Sequence, residues 1–337
     1  MSSPEHWTFS ITSLEVENLN RLNQDSSLPD SDISTAGLLS LFAVYFIWGT
    51  TFLAIKLGVH GEGAFPPFTL GAMRVLVAGA VLLCWARFRG RKVWLNRREI
   101  MVLGFSGLLI WTGANGLVTW AEQYASSGYA ALLMAALPIW TTLMEALLDR
   151  RIPSKALMLS LAIGFSGVGL LTVPQLLKAS PLGFWAGVAL LFAPLSWASG
   201  SILQVRHSIE TEPLVSSAYQ NLAGGIGFTF LVLLLGEPVP SPSTQAWLAW
   251  GYLVLIGSVV GFTAFVRAIN LLPMSLAMTY PFVNPVVAVL LGWWILDEPI
   301  TPWLMGGMIL VLVGVGGVFR EKYLPTSPSE SSVSEGG

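Results

Sequence analysis

Charged and strongly polar side chains are scarce in this chain, so those embedded in long apolar runs mark where chemistry could take place. Arg74 lies in GAMRVLVAGAVLL, Asn115 in GANGLVTW, and Tyr280 with Asn284 in YPFVNPVVAVLLG. An ionisable group at mid-helix in a bilayer costs about 2.5–3.5 kcal/mol on insertion scales, so each one needs a reason. A guanidinium offers a planar fork that binds a carboxylate bidentately. Arg74 is therefore a candidate for holding an anionic substrate group, and its structural alternative is a pair with Glu122 or bonds to helix carbonyls. Trp111, Asn115, Thr119 and Glu122 are spaced by four, four and three, which puts them on one helical face. A polar stripe in an apolar helix is expected to face a cavity and not lipid. Asn115 is the candidate hydrogen-bonding group of that stripe; an interhelical bond, worth only ~0.6 kcal/mol on average, is the bland alternative.

Tyr280 and Asn284 are four residues apart and share a face, with Pro281 and Pro285 removing backbone donors beside them. Carbonyls freed in this way are tolerated at membrane depth where a cavity lies alongside, so both residues are expected to line one. Trp48 and Trp197 fall mid-helix, away from the interfacial belt that Trp favours, and a cavity lining is expected for them in preference to lipid packing. Gln220 falls where Arg74 does when the two halves of the chain are superposed, which makes it a seventh candidate. Glu122 and Glu145 are candidates for gating or proton coupling. Against this, Glu122 could be simply interfacial, and Arg150 or Arg151 could neutralise Glu145. Lys56, near a helix end, is expected to snorkel.

Several chemistries are excluded. The one cysteine, Cys84, gives neither a disulfide framework nor a Cys-based metal site. His6, His60 and His207 fall in tails or loops, there is no phosphate-loop motif, and no Ser/His/Asp set is plausible. No catalytic residue, metal, cofactor or nucleic-acid partner is expected, and the chain does not read as an enzyme.

The elements that must position these residues are membrane spans. The chain has 337 residues, 54% of them hydrophobic and only 11% charged, against roughly 25% charged for a soluble domain. A bilayer core needs about 20 apolar residues per helix. Cutting at charged, Pro-rich and Gly-rich breaks predicts ten helices, near 35–57, 66–86, 100–121, 127–148, 155–173, 182–203, 214–235, 246–270, 274–296 and 302–319. Residues 1–34, with six acids and only Arg21, and residues 320–337 are expected to be disordered cytoplasmic tails, the former opening a weak helix at a Thr12–Glu15 capping box. No removable signal peptide is expected.

The stretch Met274–Glu298 repeats Ser127–Arg151 when 147 is added to each number: Pro138 meets Pro285, and Gly167 and Gly169 meet Gly314 and Gly316. Trp48 in LFAVYFIWGTT likewise echoes Trp197 in LFAPLSWASGS. This is an internal duplication, with residues 35–173 as the first repeat and 182–319 as the second. Eleven of the twelve loop Lys and Arg residues share one side, Lys178 being the exception, which makes both termini cytoplasmic. Each repeat has an odd number of helices, so the second enters the membrane inverted, an arrangement that belongs to secondary transporters. The pairs Ser160/Gly164, Gly183/Gly187 and Ala223/Gly227 read as close helix crossings, with hinges as the functional alternative.

WGTTFLAIKLG, GAMRVLVAGAVLL, GANGLVTWAEQYASSGYAALLMAALP, YPFVNPVVAVLLG and the LDEP turn together resemble the EamA family of the drug/metabolite transporter superfamily, and most of all its YedA-type bacterial members. The resemblance covers about residues 36–319. It implies an all-α integral membrane protein of ten transmembrane helices in two inverted five-helix repeats, with a central cavity and export or exchange of a small metabolite. One departure is that Arg151 stands where the second repeat has Glu298. The expected activity is secondary transport of amino acids or related small metabolites across the inner membrane by alternating access. The alternatives are an antiporter of phosphorylated or nucleotide sugars, which would want several cavity cations where this core offers chiefly Arg74, or a non-transporting membrane receptor or enzyme. The expected partners are a small-molecule substrate, protons if transport is coupled, and the lipid bilayer, around a monomer or weak dimer.

Overall fold

The computed structural model describes residues 34–178, 180–207, 209–272, 276 and 279–323; the tail expectations for residues 1–33 and 324–337, and the beginning of the Met274 stretch, lie outside the described residues. Ten helices follow in chain order: α1 (Thr35–Val59), α2 (Pro67–Phe88), α3 (Arg97–Ala121), α4 (Ser127–Leu148), α5 (Lys155–Lys178), α6 (Pro181–Arg206), α7 (Pro213–Leu235), α8 (Thr244–Tyr252 running through Leu253–Val260 into Gly261–Leu271), α9 (Tyr280–Leu296) and α10 (Pro302–Tyr323). Among the described residues no strand occurs, and nine of the ten are long and apolar enough to cross a bilayer; α9 has 17 described residues.

Local chemistry sets the starts and stops. Ser34, Ser126, Ser180 and Ser243 each cap a helix by accepting from a backbone N–H, and Asn96 with Glu99 forms a reciprocal capping box. Pro67, Pro181 and Pro213 stand in first turns, where a missing N–H removes no bond. Pro138 has the opposite effect inside α4, which breaks between Met134 and Leu137.

The two repeats interlock. The most extensive pairings are α5 with α10 and α2 with α7, while α1 packs on α8 and α9, and α6 on α3 and α4. The α5–α10 crossing keeps the 147-residue register. A side chain on Gly167 would meet the Val311 nitrogen at 2.6 Å and the Gly307 oxygen at 2.9 Å, and one on Gly314 would meet the Gly164 Cα at 2.5 Å and the Ser160 oxygen at 2.9 Å. Gly307, Val311 and Gly314 are the counterparts of Ser160, Gly164 and Gly167, so each contact is the image of the other. Gly169 and Gly316, also matched in sequence, stay clear of the crossing. The same register links Arg150 and Asp297, the two non-glycine residues with positive φ among those described (51° and 53°), which end α4 and α9. On the α2–α7 face the offset is 146: a side chain on Gly79 would meet Leu222, and one on Gly225 would meet Leu76.

A single cavity shared by both repeats

The sequence scatters its candidates over seven helices, and the fold brings seven of the nine to one place. A cavity of about 390 Å³ lies between the repeats, with Trp48, Arg74, Asn115, Trp197, Gln220, Tyr280 and Asn284 all in its wall. Glu122 and Glu145 are not in that wall. The remaining lining is largely apolar and aromatic, including Phe52, Phe262 and Phe265, and Arg74 is its only charged residue among those described.

The middles of α3 and α8 shape this space. Leu108–Asn115 and Leu253–Val260 are π-helical, at matching places in the two repeats. Such stretches carry i→i+5 bonds and are found frequently at functional sites. In each, a side chain bonds the carbonyl five residues back: Asn115 Nδ2 donates to Ile110 O (3.1 Å) and Ser258 Oγ to Leu253 O (2.9 Å). This corrects the expected polar stripe, whose spacing assumed an uninterrupted α-helix. Trp111 and Asn115 line the cavity, whereas Thr119 is turned into the protein and donates to the Asn115 carbonyl (2.7 Å). It also replaces the interhelical bond considered for Asn115 with one inside its own helix.

Arg74 is buried, at 7% exposure. Its Nε donates to Ser258 Oγ (3.3 Å), its guanidinium carbon stands 5.5 Å from the Trp111 ring centroid, and no ion pair to it occurs among the described residues. The expected alternative of a Glu122 ion pair is therefore not formed. The terminal nitrogens of the fork make no hydrogen bond to described residues, which leaves the bidentate face available. The cation–π contact is of a kind worth ~2 kcal/mol when desolvated.

Gln220, at the matching position on α7, spends its amide nitrogen on Ser106 Oγ and Gln204 Oε1 (both 2.8 Å). Trp48, Phe265 and Tyr280 form one aromatic cluster, with centroids 5.1–5.6 Å apart, and Trp48 Nε1 donates to Gly257 O (3.3 Å). The Asn284 amide nitrogen faces the carbonyls of Tyr280 (3.2 Å) and Tyr45 (3.1 Å), so it braces α9 against α1 as well as lining the cavity. Sequence reasoning missed Thr51, Ser217, Asn221 and Ser258, which also line it. Ser258 had a legible signal: it is the only hydroxyl in the apolar run LVLIGSVVGF.

The two mouths of the bundle are tied differently. At one end, Glu298 closes onto the start of α4: Oε1 accepts from Ser127 N (2.7 Å), and Oε2 from Ser127 Oγ (3.0 Å) and Gly128 N (3.2 Å). Beside it, Lys56 Nζ donates to the carbonyls of Glu122 (2.7 Å) and Ala125 (2.9 Å). The Lys56 ammonium is thus tied to the end of α3, where a cation is favoured because the last carbonyls lack helical partners. Glu122 is enclosed at the same end of α3. It is fully buried, and among the described residues neither carboxylate oxygen has a hydrogen-bond partner. Glu237 caps α2 through Phe68 N (2.9 Å) and Thr69 N (2.7 Å). At the other end the ties are arginine-based: Arg91 to Glu212 (3.2 Å), Arg206 to Asp149 (2.5 Å) and Arg98 to His207 O (2.9 Å). Glu145 is half-buried on the last part of α4, towards this end.

A family model, the EamA-like transporter family, matches residues 35–173 and again residues 184–320. The chain belongs to the EamA-like transporter family. An Escherichia coli protein described as the uncharacterized inner membrane transporter YedA is 34% identical over 297 residues, spanning 86% of this chain and 92% of that one. The uncharacterized transporter YoaV of Bacillus subtilis is 22% identical over 280 residues, 82% of this chain and 94% of its own. A crystal structure matches with a TM-score of 0.59 at 22% identity, over 84% of this chain and 96% of that one, and carries the fold. This is a multi-pass inner membrane protein of a transporter family, and its environment is the lipid bilayer.

Proposed function

We propose that the protein is a secondary transporter that exports or exchanges an amino acid or a related small carboxylate by alternating access of the central cavity. The observation that carries this reading is the wall itself: an apolar, aromatic enclosure between inverted repeats with one guanidinium whose fork is unpaired. Inverted-repeat transporters bind their substrates at such repeat interfaces. A single Arg matches one carboxylate, whereas a phosphorylated or nucleotide sugar would call for several cations, and that antiporter reading is the weaker. Counterflow into proteoliposomes of the purified chain, screened with labelled amino acids and with organic phosphates, tests it. Uptake of organic phosphates alone would overturn it.

Both termini are cytoplasmic in this reading, because the arginine-tied end carries the basic loops. Ser243 N donates to Gly63 O (2.7 Å), so these two positions share an end. Single cysteines at Gly63 and Ser243 are expected to react with an impermeant thiol reagent from outside on a Cys84→Ser background, and one at Asn96 only after permeabilisation. External labelling at Asn96 would reverse the orientation.

Glu122 is the coupling residue of this reading, since a buried carboxyl without partners can take up and release a proton as its surroundings change. Glu122→Gln is expected to keep counterflow within about twofold while abolishing stimulation by an imposed proton gradient. Unaltered gradient-driven transport in that variant rules the role out.

A further inference from the structure

The connection between α2 and α3 is the most basic stretch of the chain. Arg87, Arg89, Arg91, Lys92, Arg97 and Arg98 fall within twelve residues that hold no acid. The positive-inside tendency explains their sign, but not the shape of the folded loop. Gly90, at a φ of 69°, closes the end of α2, with its N–H on Arg87 O (3.1 Å) and the Arg91 N–H on Ala86 O (3.0 Å). The second repeat then holds the loop from outside. Tyr219 Oη on α7 donates to Val93 O (2.9 Å), and Arg91 pairs with Glu212 just before α7 (3.2 Å).

Four cations and two rings are left over from that bracing. Arg91 is spent on Glu212 and Arg98 on His207 O (2.9 Å), whereas Arg87, Arg89, Lys92 and Arg97 are exposed and make no ion pair or side-chain hydrogen bond among the described residues. Phe88 and Trp94, interleaved with them, are 90% and 80% exposed. Aromatic rings that no protein covers at the end of a span sit at headgroup level. Clustered cations beside them complement anionic headgroups. The α4–α5 turn at the same end is the contrast: its Arg150, Arg151 and Lys155 follow Asp149, and it carries no aromatic residue.

We propose that the α2–α3 loop is a binding site for anionic phospholipid headgroups: Arg87, Arg89, Lys92 and Arg97 hold the charged headgroup while Phe88 and Trp94 anchor the loop in the interface. A lysine or arginine at an anionic bilayer surface contributes about fivefold in affinity, so the loop separates phosphatidylglycerol from the zwitterionic phosphatidylcholine. The site is remote from the central cavity, and it depends neither on the substrate carried nor on which end faces the cytoplasm.

The test uses the purified full-length protein in a neutral detergent, titrated with phosphatidylglycerol or with phosphatidylcholine of the same acyl chains, bound lipid being counted by native mass spectrometry. Phosphatidylglycerol is expected to bind at least about tenfold more tightly, two or more of the fivefold steps, and inorganic phosphate at fixed ionic strength should not displace it. Arg89→Gln combined with Lys92→Gln is expected to weaken phosphatidylglycerol about 25-fold while leaving phosphatidylcholine within twofold, which also shows that the variant is folded. Either substitution alone should cost about fivefold, a readout that stands if the double variant does not fold. Arg151→Gln combined with Lys155→Gln removes the same charge from the same end and should move neither lipid by more than twofold. Trp94→Ser removes a ring and no charge, and should weaken both lipids while keeping their ratio. Equal binding of the two lipids by the unaltered protein overturns the site. Equal loss of phosphatidylglycerol in the two double variants overturns it in favour of a diffuse positive field. Displacement by inorganic phosphate assigns the cations to a soluble anion and overturns the lipid as occupant, and binding unmoved by Trp94→Ser overturns the anchoring role of that ring.

Discussion

Arg74→Ala is expected to reduce transport roughly 10- to 100-fold at low substrate concentration, the loss of a charge-assisted bond of about 1.5–3 kcal/mol. The buried guanidinium forms no ion pair among the described residues, touching Ser258 by Nε and Trp111 by its face. Removing it therefore strands no carboxylate, and the penalty of an orphaned partner charge does not arise. Arg74→Lys separates binding from bracing. Lysine keeps the charge but loses the planar fork and much of the stacking on Trp111, so it should raise the half-saturation concentration for anionic and zwitterionic substrates more than for cationic ones. Membrane expression should stay near that of the unaltered protein. If both variants instead lose folded protein in proportion to lost transport, and the residue that remains shows unaltered substrate preference, Arg74 is a strut. The measurement is counterflow in proteoliposomes, normalised to monodisperse protein on size exclusion.

The repeat, the ten spans and the cavity residues were legible because they depend on periodicities that the bilayer enforces. A proline or a polar group in lipid needs a local reason, and Arg74 and Asn284 stood out on that ground; Trp48 stood out because it falls mid-helix, away from the interfacial belt. What was not legible depends on departures from ideal helical geometry. The π-helical stretches of α3 and α8 shift the phase of every residue beyond them, so a count of fours and threes carried Thr119 and Glu122 onto the cavity face with Asn115, and the fold does not keep them there. Lys56 was read as seeking solvent because its partners are backbone carbonyls sixty-six and sixty-nine residues away, invisible to any local pattern. Asn221 escaped notice because Gln220 beside it occupied the position matching Arg74, yet both residues line the cavity.

Glu298→Ala is expected to open the Glu298 end of the cavity. Three hydrogen bonds from Ser127 and Gly128 converge on this carboxylate, two of them from the first N–H groups of α4, where a negative charge is favoured by the helix dipole and by unsatisfied donors. Glu298 follows the end of α9 in the second repeat, and α4 belongs to the first, so these bonds join elements that must separate for that mouth to open. At the equivalent position of the other mouth stands Arg151, which cannot accept from N–H groups, and arginine ion pairs hold that end instead. Loss of the cap removes about 1–3 kcal/mol from the closed arrangement, a shift of roughly 5- to 150-fold between closed and open populations. A cysteine at Ser258, in the cavity wall, should then react with an external thiol reagent at least fivefold faster in Glu298→Ala than in the parent. Glu298→Gln, which keeps an accepting oxygen but not the charge, should fall between them. Gly292 packs against the Glu298 carboxylate and Ser127 Oγ, so Gly292→Ala should shift reactivity in the same direction as the cap loss. Equal labelling rates across all four proteins would mean that this end is held by packing alone, and that the carboxylate serves only to start α4.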